Sequence, residues 1–137
     1  MSDSYWLLKS EPATYSFQQL IKDKTTNWNG VRNFQARNFL KNMKKGDLAL
    51  IYHSGDEKSV VGVARVTREA YSDQDSEKPG EWFQVDLEPV ELLQHPVSLK
   101  EIKLSARLAD LLLIKQSRLS VMPVQPTHFK TLLKMGS

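Results

Sequence analysis

WNGVRNFQARNFLKNMKKG, residues 28–46, is the stretch around which the rest of the chain can be read. It opens as a loop, Trp28-Asn29-Gly30-Val31-Arg32, whose glycine permits close backbone approach. Asn33 suits a helix N-cap, because its side-chain oxygen accepts from an orphan N–H of the first turn. Ala36, Phe39, Leu40 and Met43 then recur at the i, i+3, i+4, i+7 spacing of a core-facing helix ending at Gly46. Asn33 and Arg37 share one side of the first turns, away from that stripe. Five basic residues (Arg32, Arg37, Lys41, Lys44, Lys45) and no acid lie in this stretch. Orphan N–H groups plus two guanidinium groups can hold an anion or the polar edge of a heterocycle. The same spacing equally describes a solvated basic face on an ordinary helix.

Working outward, the charge is segregated. Residues 111–137 carry Lys115, Arg118, Lys130 and Lys134 and no acid, whereas residues 47–110 are acidic on balance, leaving the 137-residue chain at net +3. If the two basic segments meet in the fold, they present one positive surface. There is no cysteine, hence no disulfide framework and no Cys-based zinc site. The opening MSDSYWLLKSEP lacks the long apolar run of a signal peptide, and no stretch is long enough to span a membrane, so a cytoplasmic-type compartment is expected. The length fits one domain over residues 1–137.

Upstream, Tyr5 to Lys9 reads as a short buried strand, and Ser16-Phe17-Gln18-Gln19 as a capping box that opens a helix over Phe17, Leu20 and Ile21. Lys22 to Asn27 reads as a polar loop. Downstream, Asp47 to Ser54 and Val60 to Thr67 form a hairpin. Tyr71 to Glu81 is an acidic loop with a Pro79-Gly80 turn, and Phe83, Val85 and Leu87 alternate with polar residues along a further strand that closes by Pro96. Ser98 to Glu101 is a second capping box, Leu108 to Lys115 a helical run, and Leu119 to Met122 a last strand stopped by Pro123. A terminal helix starts at Pro126. Meandering strands with peripheral helices argue α+β, with a small, mostly antiparallel sheet curled into a barrel.

Most motif chemistry is missing: there is no P-loop, G-x-S-x-G, G-x-G-x-x-G or H-E-x-x-H, and the three histidines have no ligand spacing, so no metal or cofactor is expected. His53 is the one candidate general base, with Glu11 as its acid–base partner if the chain is an enzyme; a hydrogen-bonded structural histidine is the alternative. Tyr5, Phe17, Phe39, Phe83 and Phe129 fall at core-periodic positions, and Trp6 and Trp82 read as packing residues. Trp28 can stack on a base, at about 1–3 kcal/mol, or plug the end of a barrel, and the sequence leaves both open.

Several segments taken together resemble one family. YWLLKSEP (5–12), WNGVRNFQARNFL (28–40), GDLALIYHS (46–54), VVGVARV (60–66) and RLSVMPV (118–124) are similar, in order, to those of the EVE domain family of the PUA-like superfamily. The resemblance covers essentially the whole chain, and the combination of W-x-G-V-R-N-x-x-A-R, Y-H-S and L-S-V-x-P is specific. It implies a pseudo-barrel of about five to six strands with flanking helices. It also implies a non-catalytic nucleic-acid-binding role, reading a modified base in DNA or RNA as YTH and SRA-type domains do, in a monomer. Carried over by position, the implied pocket draws on Lys9, Ser10 and Glu11; on Trp28, Val31, Arg32, Asn33 and Arg37; on Tyr52, His53 and Ser54; and on Arg118, Leu119 and Ser120. The opening residues lack the basic tail of nuclear members, which points to a stand-alone, bacterial-type domain.

A flipped base needs a slot, an aromatic face and polar groups for its edge. Trp28 offers the face, Asn33, Ser10 and Ser54 the edge contacts, Glu11 an acceptor for an exocyclic amine, and Arg32, Arg37 and Arg118 the phosphate contacts. An apolar recess near Val31 or Leu119 would suit a methyl group, worth about 0.8 kcal/mol when buried. A peptide or small-ligand module using the same cleft is the further alternative.

Overall fold

In the computed structural model, residues 4–74, 76–78 and 80–137 are described; Pro79 of the expected turn and Met1 to Asp3 lie outside them. The chain runs β1 (Tyr5–Ser10), α1 (Phe17–Asp23), β2 (Thr26–Trp28), α2 (Phe34–Asn42), β3 (Leu48–His53), β4 (Ser59–Ser72) and β5 (Phe83–Ser98). Then come α3 (Leu99–Leu104), a 3-10 turn (Ala106–Leu108), α4 (Leu112–Lys115), β6 (Val121–Val124) and α5 (Pro126–Met135). The strands form one sheet in the order β2-β5-β4-β3-β1-β6. All neighbours are antiparallel except β1 and β3, which run parallel with Ser10 opposite His53. The α+β architecture of mostly antiparallel strands with flanking helices is therefore as the sequence indicates. The sheet does not close on itself: β2 and β6 are its two edges, and α2 packs against β4, β5 and β6 instead.

The helix starts obey local chemistry. Asn33 Oδ1 accepts from the Ala36 N–H at 2.9 Å, Ser16 Oγ from the Gln19 N–H at 3.0 Å, and Ser98 with Glu101 completes both halves of a capping box. Donation from the Ser98 N–H and hydroxyl holds the Glu101 carboxyl below the usual carboxylate range. On α2, Ala36, Leu40 and Met43 are buried, Phe39 partly so.

Several elements depart from expectation. Thr26–Trp28 is a strand, because its polar backbone finds a partner in β5 at Asn27–Asp86 and Trp28–Val85; propensity could not supply that pairing. The β4–β5 hairpin is longer at both ends than the alternation suggested, and Pro89 sits within β5 next to a register shift, where a missing N–H is tolerated. Pro123 likewise lies inside β6, which is an edge strand. Helix α2 ends at Asn42, not Gly46, and residues 108–115 split into the end of a 3-10 turn and a four-residue helix. β3 is buried on both faces because β4 and β1 flank it beneath packed helices, so its alternation carries no wet side.

The core is continuous from Leu7 and Leu8 through Leu50, Ile51 and Val63 to Leu87 and Leu132. At its centre the Phe17 ring lies on Gly62 of β4: a Cβ there would come within 2.6 Å of the ring. Overpacking of this kind costs about 1–3 kcal/mol. Gly62→Ala is expected to lower the unfolding free energy by that amount and the urea midpoint with it, and Gly62→Ala with Phe17→Leu to recover part of it; an unchanged midpoint for the single variant contradicts the contact.

Candidate functional site

The residue 29–33 loop is held from beneath by Asp73, which lies just past the end of β4 and is fully buried. Its Oδ2 accepts from the Gly30 N–H at 3.0 Å and from Arg32 Nη1 at 2.9 Å, and its own N–H donates to the Trp82 carbonyl at 2.9 Å. Gly30 adopts φ +81°, a conformation that L side chains rarely hold. Val31 turns into the core, and Arg32 remains partly in solvent while also donating to the Val31 carbonyl.

Around this loop lie three recesses. The first, about 490 Å³, is bounded by Lys9, Ser10 and Glu11 at the end of β1, by Thr14 and Tyr15 ahead of α1, and by Thr26 to Gly30. Its parallel-strand origin explains the placement: the ends of β1 and β3 fall on one rim, and the Ser54 N–H donates to the Ser10 carbonyl at 2.9 Å. Two rings form its apolar wall, Trp28 and Tyr15 meeting edge to face with centroids 6.3 Å apart. Trp28 is only 9% exposed, so the half-buried Tyr15 offers the more accessible ring.

The polar wall is ordered. Ser10 Oγ donates to the Tyr15 carbonyl at 2.6 Å, and Tyr15 Oη to Asp23 at 2.8 Å; burial first, and Asp23 with it, raises the Tyr15 pKa. Lys9 Nζ donates to the Ser117 carbonyl at 2.7 Å, and burial pulls its pKa down. Asn27 Nδ2 donates to Gln84 at 2.9 Å. Glu11 overhangs Gly55, where a Cβ would come within 2.6 Å of its carboxylate.

The second recess, about 460 Å³, is lined by Arg32, Phe34 and Trp82 together with Ser76, Glu77, Lys78 and Glu81. The third, about 350 Å³, joins the start of α2 to the segment before β6: Asn33 and Gln35 face Lys115, Gln116 and Arg118. The early and late segments therefore meet here, but the basic side chains that line the recess, Lys115 and Arg118, both come from the late one, and Lys115 Nζ lies 3.2 Å from Asp110.

Of the residues singled out from sequence, Lys9, Ser10, Glu11 and Trp28 converge on the first recess, Arg32 lines the second, and Asn33, Arg118 and Leu119 line the third. Leu119 and Val31 are buried. Arg37 lies on the outer side of α2, donating to the Glu81 carbonyl at 3.1 Å and to Asn38. Tyr52 and Ser120 stand behind Lys9: its ammonium is 5.8 Å from the Tyr52 ring centroid, and its N–H donates to the Ser120 carbonyl.

His53 is a structural side chain. It is 2% exposed; Nε2 accepts from the Phe17 N–H at 3.0 Å, which leaves the proton on Nδ1, 3.1 Å from Glu57. Both ring nitrogens of His53 are thus engaged away from Glu11, its partner in the acid–base alternative. Sequence reasoning passed over Tyr15, Asn27, Phe34 and Trp82. Phe34 carried a signal, since it stands off the apolar stripe of its own helix. Among the described residues no cluster of His, Cys, Asp or Glu is arranged to hold a metal, and no helix is long and apolar enough to cross a membrane.

A family model described as EVE domain matches residues 4–135. Thymocyte nuclear protein 1 of Gallus gallus is 33% identical over 164 residues, spanning 96% of this chain and 68% of that protein. A crystal structure of an Agrobacterium tumefaciens protein superposes with TM-score 0.94 at 37% identity, covering 98% of this chain and 93% of that one. The human THYN1 protein in complex with 5-methylcytosine-containing DNA superposes with TM-score 0.87 at 31% identity, covering 98% of each chain.

The Asp73 contacts yield a direct test. Asp73→Ala is expected to destabilise the fold by about 1–3 kcal/mol, because it strips a buried acceptor from the Gly30 N–H. It should also raise the amide exchange rate at Gly30 well above that at Leu50; an unaltered Gly30 rate removes Asp73 from this role.

Proposed function

The chain belongs to the EVE domain family, and we propose from that premise that it is a non-catalytic nucleic-acid reader that takes a modified base, turned out of its stack, into the recess beside Tyr15 and Trp28. One observation carries this reading: an aromatic wall and ordered polar groups converge on a cleft of about 490 Å³, in a fold shared with a protein crystallised on 5-methylcytosine DNA. That volume lies within the range of about 300–1,000 Å³ usual for small-molecule sites.

The chemistry of a cytosine-type base fits the lining. Its exocyclic amine donates and its ring nitrogen and carbonyl accept. Glu11 supplies the acceptor, and Lys9, with the amide of Asn27, supplies donors. The half-exposed Tyr15 ring stacks, Trp28 bounding the slot from the core side. A 5-methyl group against these rings adds only about 0.8 kcal/mol by burial, so strong discrimination requires that the slot reject other shapes. The acid-free groove beside Arg118 and Lys115 takes the backbone of the strand, and such contacts make affinity fall with salt. DNA is the favoured carrier, and the protein acts as a monomer in the cytoplasm.

Fluorescence anisotropy with a labelled duplex carrying one 5-methylcytosine tests the reading. The wild type is expected to bind the methylated duplex about fourfold more tightly than its unmodified twin, the factor that one buried methyl supplies. Tyr15→Ala and Lys9→Ala should each weaken binding about tenfold or more while the far-ultraviolet circular dichroism is kept. Trp28→Ala is unsuitable, because removing a core ring costs about 3–5 kcal/mol of stability. Equal affinities for the wild type and both variants would defeat the proposal.

A further inference from the structure

Phe34 is the first residue of α2 and is 56% exposed, the only aromatic among the exposed large apolar side chains of the described residues. It is not left over from the core stripe, which runs through Ala36, Leu40 and Met43 on another face. Its ring stacks on Trp82 with centroids 5.0 Å apart and planes 23° from parallel. The Arg37 guanidinium carbon is 4.9 Å from the Phe34 centroid and 5.9 Å from that of Trp82, and Arg32 is 5.7 Å from Trp82. With the 5.0 Å between the two rings, the 4.9 and 5.9 Å distances of Arg37 close a triangle, so Arg37 does not lie across Phe34 from Trp82. With Trp82 stacked against it, Phe34 still keeps more than half of its surface in solvent. A two-ring stack with guanidinium groups at its side is built to take another planar ring.

Its position names the occupant. Gly30 borders the base recess and Arg32 borders the Phe34–Trp82 recess, and two residues of chain span at most about 7 Å. The two recesses therefore share the Gly30–Arg32 loop as a common wall, as sites for successive bases must. We infer that Phe34 and Trp82 form a stacking platform for the base adjacent to the one held beside Tyr15, with Arg37 on the phosphate between them. This rests on the proposed reader function and adds a second base site to it. The donors of Arg37 go to neutral acceptors, the Glu81 carbonyl and Asn38, so its charge remains available to a phosphate. Glu77 and Glu81 also line this recess, and their carboxylates disfavour a phosphate inside it, which leaves the recess to the base and the phosphate to the Arg37 guanidinium. Stacking on the platform compensates the neighbour for the contact it loses when the modified base leaves the duplex.

The test uses the full chain and anisotropy on labelled duplexes with one 5-methylcytosine, either intact or with an abasic residue on its 5′ or 3′ side. Phe34→Ala is expected to bind the intact duplex about 5- to 100-fold more weakly than the wild type, with an unchanged melting temperature because the ring is exposed. Phe34→Tyr should retain wild-type affinity. An abasic residue on one side, but not the other, should weaken the wild type by a similar factor and leave Phe34→Ala unaffected. Wild-type affinity in Phe34→Ala, or equal losses with and without the neighbouring base, overturns the platform. The two readings separate cleanly. If Tyr15→Ala weakens binding and Phe34→Ala does not, only the platform fails. If Phe34→Ala weakens binding and Tyr15→Ala does not, the base recess fails and takes with it the placement of the platform beside a captured base, Phe34 remaining only a nucleic-acid contact.

Discussion

A single buried carboxylate shapes the functional face. Withdrawing an ionised carboxylate from water costs several kcal/mol unless charge and hydrogen bonds compensate it. Asp73, fully buried, receives the Arg32 guanidinium and the Gly30 N–H on the same oxygen. That demand forces the loop into one conformation and so fixes the boundary between two recesses. A second buried acid does the same at the other end of α2: Asp47 accepts from Trp6 Nε1 and from the Lys44 N–H, both at 2.9 Å. Helix α2 is thus moored at both ends to the sheet by carboxylates from β-strand termini, with Asn33 closing its first turn between them. Its exposed side can then carry Phe34 and Arg37 without depending on the surface for stability.

The one parallel pair in the sheet has an equally specific effect. Were β3 antiparallel to β1, the start of β3 would lie beside Ser10 and the polar rim would be lost. Running parallel, both strands deliver their carboxyl ends to the same edge, the region where ligand clefts form in sheets with parallel strands. Reaching that arrangement requires a long crossover, and the crossover is α1, β2 and α2. The same segment that makes the parallel pairing possible therefore supplies Tyr15, Trp28 and Phe34.

What the sequence made legible was local. Periodicity and capping chemistry located α2, the Asn33 cap, β1 and the β3–β4 hairpin, because each depends on residues within a few positions. β2 was illegible: three residues, Thr-Asn-Trp, acquire strand geometry only from Asp86 and its neighbours far along the chain. That is why the sequence left Trp28 open between a base-stacking face and a buried plug, and the pairing of β2 makes it nearly buried. Charge counting also misled at one point. Arg32 belongs to the most basic stretch, yet a carboxylate 41 positions away in the acidic segment neutralises it. Arg37, from the same stretch, meets only neutral acceptors. Sequence tallies treat the two as equal; partners distant in sequence make one a structural tie and leave the other as surface charge.

This division bears on how selectivity can arise. A buried methyl group contributes about 0.8 kcal/mol, whereas each backbone contact binds any sequence alike. Strengthening the acid-free groove would raise affinity for all nucleic acid and leave the ratio between modified and unmodified bases unchanged. Stacking on Phe34 behaves differently, because it gains strength only when the neighbouring base has been freed from its own stack, which happens when a base has been turned out into the cleft. The platform therefore couples general binding to base capture, and with Lys9 drawn toward Ser117 and Glu11 seated over Gly55, the cleft tests the captured base against a fixed outline.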